Sequence, residues 1–509
     1  MAAPFHFEHS VAFSPENASE ILRSIPTLPG VFALHGSAAL EGQAPAQPYL
    51  TRAADLRRRI TRILAPPDSQ SKRLNLRDRV ARIDYTVTGS EFESALTLYH
   101  ATAALFSLDE ARHRLKLRTP FFLRFTADNA YPRVYSTNRL SKRGLANFYG
   151  PFPSRAAADR YCDAVLDLFK LRRCYEDLAP YPEHPGCVYG EMNKCLAPCN
   201  QACTPEGAAA YAHEADQVKR FFDTRGESLI IEIGLAREEA SSGLHFERAA
   251  ELHAQWHKVK AAQALADPFV QPIPRLRAIV LQKAVQGTEN REQGAEDSAA
   301  AFLVHAGCII GPARLSTLGV RAVKEQTSVG SSLFAQPLML QAIPLEGPSN
   351  EAVIPSEAHG AESKNPDVSH PTANPPTLSA TPADPVILSD PELVEGESKD
   401  LRLTSQNSTP PALSPELRAT TLIASLEAQT HAPTDLATLS DHLSLLRRWY
   451  YRPEKHRAGE VFFPKEDGSW PIRRILNGAA RMALHNTEQK SAGTSALGDP
   501  TPTPPTPKS

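Results

Sequence analysis

The chain has 509 residues, with 55 Lys and Arg against 57 Asp and Glu and seven cysteines. That length calls for more than one domain, and a net charge of −2 names no partner by itself. No apolar run reaches the roughly 18–20 residues that span a bilayer, and MAAPFHFEHSVAF has no export-signal character, so a cytoplasmic location without a membrane partner is expected.

The first segment, 20–106, reads as a small α+β unit. Gly30–Leu34 is a short apolar strand, with Pro48–Thr51 as its hairpin partner. Ala53–Leu64 has helical spacing, placing Leu56, Ile60 and Ile63 on one face and arginines on the other. Ala81–Thr88 alternates like a strand, and Ser90 or Glu91 opens a helix through about Phe106. Ten cations lie between Arg52 and Arg82, including Arg57, Arg58, Arg59, Arg62, Lys72 and Arg73, opposed only by Asp55, Asp68 and Asp78. Such a run suits a phosphate backbone, and equally a solvated helix face.

Segment 107–205 holds Ala130–Tyr135, Asn147–Ser154 and a helix from about Ser154 to Leu171. Then come Cys174, Cys187, Cys195 and Cys199, spaced C-x12-C-x7-C-x3-C in a Pro- and Gly-rich stretch. Four soft ligands are the usual number for tetrahedral zinc or an iron–sulfur cluster. Free thiols or disulfides are the plainer reading, although a reducing compartment disfavours disulfides. Cys203 offers an alternative fourth ligand.

Two amphipathic helices follow over 206–225 and 228–263, within a helical region 206–266. A small β-rich unit spans 270–345, with Ala301–Ile310 as a hairpin turning near Ala306-Gly307. Segment 346–430 is rich in Pro, Ser, Thr and Glu and reads as a disordered linker. Order returns over 431–482, where aromatics and arginines mix in Leu445–Arg452 and Trp470–Ile475. That pattern suits base stacking, or a small core with surface arginines. The tail, 483–509, reads as disordered.

Over about residues 20–265 the sequence resembles the N-terminal half of the UvrC excinuclease family. Ile25–Phe32 and Tyr49–Arg59 stand where that family carries its GIY-YIG nuclease signature. Tyr149–Pro153, Leu168–Cys174 and Cys187–Cys199 resemble its next landmarks, including the cysteine spacing. Leu244–Leu252, LHFERAAEL, resembles the UVR motif, L-x-F-E-x-A-A-x-L. The resemblance implies a GIY-YIG-like mixed sheet with flanking helices, a four-cysteine region and a helical UVR-like hairpin. It implies a [4Fe–4S] cluster on Cys174, Cys187, Cys195 and Cys199, with zinc as the alternative. It also implies DNA as a partner, gripped by Arg52, Arg57, Arg58 and Arg62. A UvrB-like helicase subunit would be docked through Leu244, Phe246, Glu247, Ala250 and Leu252.

The resemblance implies an endonuclease as well, but the expected site is incomplete. Phosphodiester hydrolysis of this kind needs a tyrosine hydroxyl, a basic residue and a carboxylate holding one divalent metal. Tyr49 and Arg59 remain, with Arg52 in place of a lysine. Phe32 and Ile63 stand where tyrosines are usual, Thr51 replaces a glycine, and Leu98 occupies the position of the metal carboxylate. Glu91 and Glu93 lie earlier on the same helix and cannot replace it without a register shift. Tyr49 and Arg59 are then either remnants or phosphate contacts, and Mg²⁺ is implied only if the nuclease is active. Three readings follow: a non-cutting repair protein of the UvrC type; a single-incision endonuclease with a relocated carboxylate; and a zinc-stabilised interaction module with no nucleic-acid role. The family's ribonuclease H-like half has no counterpart in the sequence.

Overall fold

A computed structural model describes residues 5–36, 47–66, 74–285, 298–320, 414–430 and 435–494. Of the linker expected over 346–430, residues 346–413 lie outside these residues, as do 495–509 of the tail expected over 483–509, residues 431–434, and Lys72 and Arg73; a helix continues to Thr494 inside the expected tail. The described chain is α+β, with three four-stranded sheets.

The first sheet comprises β1 (His9–Ala12), β2 (Gly30–Gly36), β3 (Tyr49–Ala53) and β4 (Val80–Val87), in the order β1-β4-β2-β3. Helix α1 (Ala18–Ser24) follows β1, so the unit begins before residue 20. Every pairing in the sheet is antiparallel, which corrects the expected mixed sheet. The reason is connectivity: β2 and β3 form a hairpin, and α2 (Leu56–Leu64) then returns the chain to the far side of β2. Helix α2 starts three residues later than its apolar spacing predicts. Ala53 is still paired with Gly30, and the Asp55 carboxylate caps the helix by accepting the Arg58 N–H at 2.8 Å. Leu56, Ile60, Ile63 and Leu64 pack on Phe32, Leu34 and Ile83, as the spacing requires.

Helices α3 (Glu91–Leu105, capped by Ser90) and α4 (Leu108–Leu115) lead to the second sheet. Its strands are β5 (Phe121–Phe125), β6 (Val134–Thr137), β7 (Phe148–Phe152) and, late in the chain, the two-residue β8 (Gln271–Pro272). Helix α5 (Arg155–Leu166) ends five residues before the predicted Leu171. Phe169 and Leu171 leave the helix to enter the core, Phe169 meeting Phe221 edge-on at 5.7 Å.

The cysteine stretch carries only the single turns α6 (Val188–Glu191) and α7 (Pro198–Gln201). Three helices follow: α8 (Pro205–Asp223), α9 (Glu227–Ser242) and α10 (Phe246–Ala264). One continuous helix was expected over 228–263. Instead it breaks at Gly243-Leu244, where the His245 N–H closes a Schellman-type turn on the Ala240 carbonyl at 2.8 Å and Leu244 takes φ 59°.

The third sheet joins β9 (Arg277–Lys283), β10 (Ser298–His305) and β11 (Cys308–Ser316) to a strand from far along the chain. The β10–β11 hairpin turns at Ala306-Gly307, both with positive φ, where the sequence placed it. The remaining elements are α11 (Pro415–Ala428), α12 (Leu436–Tyr450), β12 (Glu460–Phe462) and α13 (Ile472–Thr494). Strand β12 pairs with β9, so segments 270–345 and 431–482 share one sheet. Helix α11, with Ser414 as cap and Pro415 at its first position, falls inside the stretch expected to stay linker up to 430.

Strands β9 and β10 are apolar on both faces because both faces are covered. Val280, Phe302 and Val304 meet α3 and α12, whereas Ile279, Leu281 and Leu303 meet α11 and α13. Helix α12 ties these parts together. Its buried Asp441 accepts two bonds from Arg112 Nε, at 2.9 and 3.0 Å, and one from the Tyr99 hydroxyl at 3.1 Å. Its neighbour His442 accepts the Ile309 N–H through Nδ1 at 3.0 Å. No helix among the described residues is long and apolar enough to cross a membrane.

Asp441→Ala leaves Arg112 and Tyr99 without their shared acceptor. The expected loss is about 3 kcal/mol in urea unfolding, with an unchanged far-ultraviolet spectrum at zero denaturant.

Candidate nuclease-like cleft and cysteine cluster

In the first sheet, the β2–β3 register sets Tyr49 opposite Leu34 and Arg52 opposite Val31. Residues alternate across a strand, so Tyr49 and Arg52 leave opposite faces. Tyr49 leans toward α2, where Arg59 Nη2 donates to its hydroxyl at 3.3 Å. The two residues that remain of the expected site, as remnants or phosphate contacts, are thus neighbours. Phe32 is wholly buried and Ile63 nearly so, each filling core where a tyrosine hydroxyl was missing.

Among the expected nucleic-acid contacts, Arg57 is held by the fold, its Nε donating to the Ile25 carbonyl at 2.6 Å. Arg58 and Arg62 are exposed and, with Arg57, Thr27 and Thr61, line a shallow basic depression. Arg52 lies on the other face of the sheet, in a 390 Å³ cleft between β3, α3, α4 and α12.

Leu98 lines that cleft, so an alkyl group stands where a metal carboxylate was sought. The carboxylate that does reach the cleft is Glu91. Arg52 donates to it at 3.3 Å and Arg452 grips both its oxygens at 2.7 and 3.1 Å. The Arg452 hydrogen bond holds the Glu91 carboxyl below the usual carboxylate range. Glu93, the other candidate, is buried and accepts the Gly89 N–H at 2.8 Å. Burial pushes its carboxyl up to about 7. The sequence reading missed Arg114, Arg448 and Arg452 as cleft residues. The arginine-aromatic pattern over 445–452 was visible, but not which wall it would join.

The cysteine loop is organised by a buried arginine. Arg172, two residues before Cys174, donates from Nε to the Tyr131 carbonyl at 3.0 Å and from Nη1 to the Glu176 carbonyl at 2.8 Å. Its Nη1 also lies 3.7 Å from Cys174 Sγ, and its backbone N–H meets the Tyr211 hydroxyl at 3.2 Å. The Ala197 N–H points at Cys195 Sγ at 3.3 Å.

All four thiols are free; Cys195 and Cys199 are buried, Cys174 and Cys187 half-buried, and Cys203 exposed. Burial pushes the Cys195 thiol up to about 11; the Ala197 N–H opposes that rise, and Cys187, Cys174 and Cys199 add to it. Cys195 has an N–H donor of the kind that stabilises a thiolate ligand, and Cys174 a longer contact from Arg172. The donor set fits a thiolate-bound metal or cluster in its chemistry. Among the described residues no group of three or more His, Cys, Asp or Glu closes to the spacing of a bound ion.

The UVR-like residues sit at the α9–α10 turn. Leu244 and Phe246 are 71% and 66% exposed, and Glu247 and Ala250 are exposed beside them. Leu252 differs: it is buried in the core around the second sheet. Ile231 and Leu235 on α9 add two further exposed apolar side chains. Their i, i+4 spacing on an otherwise charged face is a signal the sequence reading did not use.

Residues 121–221, which span β5 to β7 of the second sheet, α5, the cysteine loop and most of α8, match the family model of the UvrC/Cho excinuclease middle domain. The chain is similar to the UvrABC system protein C of Yersinia pseudotuberculosis serotype O:1b (strain IP 31758), with 28% identity covering 47% of this chain and 38% of that protein. The Koribacter versatilis (strain Ellin345) protein of the same name is 32% identical over 45% of this chain and 36% of its own length. For that of Edwardsiella ictaluri (strain 93-146) the identity is 27%, over 48% and 38%. The chain is thus UvrC-like over about half its length and spans under two fifths of the curated relatives it matches. No solved structure matches it.

Glu93 carries a pH signature. Its carboxyl keeps a proton in the fold up to about 7, while an unfolded chain releases it near 4.5. The protonated form is the one the fold favours. Its contribution is therefore fully present below about 4.5 and is lost as pH rises through 7. Glu93→Gln should flatten the stability profile between pH 5 and 8 and raise stability at pH 8 by on the order of 2–3 kcal/mol, read by urea unfolding at each pH.

Proposed function

We propose that this chain is a DNA-binding, partner-docking protein of the nucleotide-excision-repair type that does not itself cut the phosphodiester backbone. The observation that supports this reading is that four free thiols, two of them buried, lie inside the segment that matches the UvrC/Cho middle domain. Cys174, Cys187, Cys195 and Cys199 would hold a [4Fe–4S] cluster, with zinc as the alternative. When bound, such a group ties together a loop that buries too little apolar surface to order itself. Arg172 and the Ala197 N–H would orient sulfur lone pairs toward it.

DNA would lie along the exposed arginines Arg58 and Arg62 and the depression they line. Each phosphate contact there adds salt dependence. The absence of cutting follows from Leu98 and from Glu91, whose two guanidinium partners compete with any cation for its oxygens. A relocated carboxylate would have to break both ion pairs. The exposed apolar tip formed by Leu244 and Phe246, with Ile231 and Leu235 behind it, would dock the helicase-like subunit. Leu252 would support that tip from within.

Anaerobically purified protein is expected to absorb broadly in the visible and to contain iron and sulfide at about four each per chain. Stoichiometric zinc without iron would move the assignment to a zinc-stabilised module, and neither metal would overturn the cysteine assignment. Duplex DNA should bind with an affinity that falls steeply with salt, and Arg58→Ala/Arg62→Ala should reduce that slope. Mg²⁺ or Mn²⁺ should produce no nicks, and nicking abolished by Tyr49→Phe would restore the endonuclease reading. Phe246→Ala should weaken capture of a UvrB-type subunit by about tenfold while leaving DNA binding unchanged.

A further inference from the structure

The cleft between β3, α3, α4 and α12 holds a single carboxylate among its lining residues, yet it is strongly charged. Arg52, Arg114, Arg448 and Arg452 line it, opposed by the single carboxylate of Glu91. The floor between them is apolar: Phe92, Leu98 and Trp449 contribute, with the Phe92 and Trp449 rings 5.2 Å apart. At 390 Å³ the space is of the size that takes a small organic ligand rather than a bare ion.

Glu91 shows what the charged wall is built to hold. Its side chain is half-exposed, and its carboxylate sits between two guanidinium groups that reach it from different parts of the chain, Arg52 from β3 and Arg452 from the end of α12. That is an oxyanion seat filled by an internal oxyanion. A phosphomonoester carries more charge and a third acceptor oxygen, and guanidinium forks favour it for both reasons.

We propose that this cleft binds a nucleoside monophosphate unit, free or as the phosphorylated end of a strand. The phosphate takes the place of the Glu91 carboxylate on Arg52 and Arg452, and the base lies over the apolar floor. Arg114 and Arg448 complete the positive rim. Arg114 is stacked 3.9 Å from the Phe106 ring and paired with Glu110 at 2.5 Å, so its charge is shared, and Arg448 is fixed by donating to the Leu115 carbonyl at 2.7 Å. With Leu98 in the carboxylate position, charge is neutralised by arginine alone, so binding needs no divalent metal. The site uses residues of α12 outside the UvrC-like half and does not rest on the excision-repair reading.

The test is calorimetric titration of the full chain in EDTA with dAMP, deoxyadenosine, inorganic phosphate, and a short oligonucleotide with and without a 5′-phosphate. The expected result is binding of dAMP at least about tenfold tighter than deoxyadenosine. Glu91→Gln should tighten it severalfold by vacating the seat, and Arg52→Gln should weaken it about tenfold. Leu98→Trp should block it by filling the cleft without changing charge. Thermal melts of each variant separate these effects from misfolding. Equal affinity for dAMP and the phosphorylated oligonucleotide identifies a strand end as a ligand, and binding of dAMP alone identifies a free nucleotide; both uphold the site. The proposal is overturned if dAMP binds no better than deoxyadenosine, if binding requires Mg²⁺, or if Glu91→Gln and Arg52→Gln shift it in the same direction. Loss of this binding with salt-dependent DNA binding intact would leave the repair reading standing.

Discussion

A buried carboxylate must be paired, and the pairing of Asp441 sets the position of helix α12. Asp441 is 2% exposed, and burial lifts its carboxyl above the usual range even with Arg112 against it. Water is excluded, so the acceptors of Asp441 have to be met by Arg112 and Tyr99, and no sliding of α12 along α3 and α4 preserves those bonds. The rest of α12 is placed as a consequence. Arg447 reaches the Pro153 carbonyl and Tyr451 the Pro151 carbonyl, each at 2.8 Å, fastening the helix to the second sheet. Tyr450 donates to Asp267 just beyond α10. One helix from the C-terminal part of the chain thus touches the nuclease-like unit, the middle sheet and the third sheet.

That placement changes what the nuclease-like unit is. Helix α3 would otherwise present an apolar face to solvent; here Phe92, Leu96 and Tyr99 are buried against α12 and the third sheet. The same docking carries Arg452 to Glu91. The carboxylate nearest the cleft is thereby committed to an ion pair whose two arginines come from segments about 400 residues apart. Both partners are partly exposed, so the pairs add little to stability. Their weight lies in electrostatics: both Glu91 oxygens are occupied by guanidinium donors.

Local pattern made much of this fold legible. The β10–β11 hairpin, helix α3 with its Ser90 cap, and the apolar face of α2 follow from periodicity and turn chemistry, which act over a few residues. The errors arise where a tertiary contact overrules a local preference. Helix α5 stops early because Phe169 and Leu171 gain more from the core around the second sheet than from another helical turn. The 228–263 helix breaks where Ser241-Ser242-Gly243 offers weak helix formers and the turn back buries Leu252. Helix α11 was hidden by the linker-like composition around it, although Ser414-Pro415 is an N-terminal signal. The Tyr49–Arg59 pair was readable because it lies within one hairpin-helix unit. Arg452 was not, because nothing local to residue 452 says that it meets residue 91.

The two halves of the candidate chemistry differ in how they depend on their surroundings. Leu98 lies on the cleft wall, outside the buried cluster that packs α3 against α12. The cysteine loop has no such separation between ligand and scaffold. Its backbone is held by Arg172, whose guanidinium is buried and bound to carbonyls on both sides of Cys174, and by the Tyr211 hydroxyl, which also donates to the Pro132 carbonyl at 2.7 Å. Removing that guanidinium would leave the Tyr131 and Glu176 carbonyls unmet at once. Cys174 is therefore held by the same arginine that fastens the loop to the Tyr131 segment. A change at Leu98 would alter the cleft wall alone, whereas a change at Arg172 would reach the cysteine loop and the segment beside it at once.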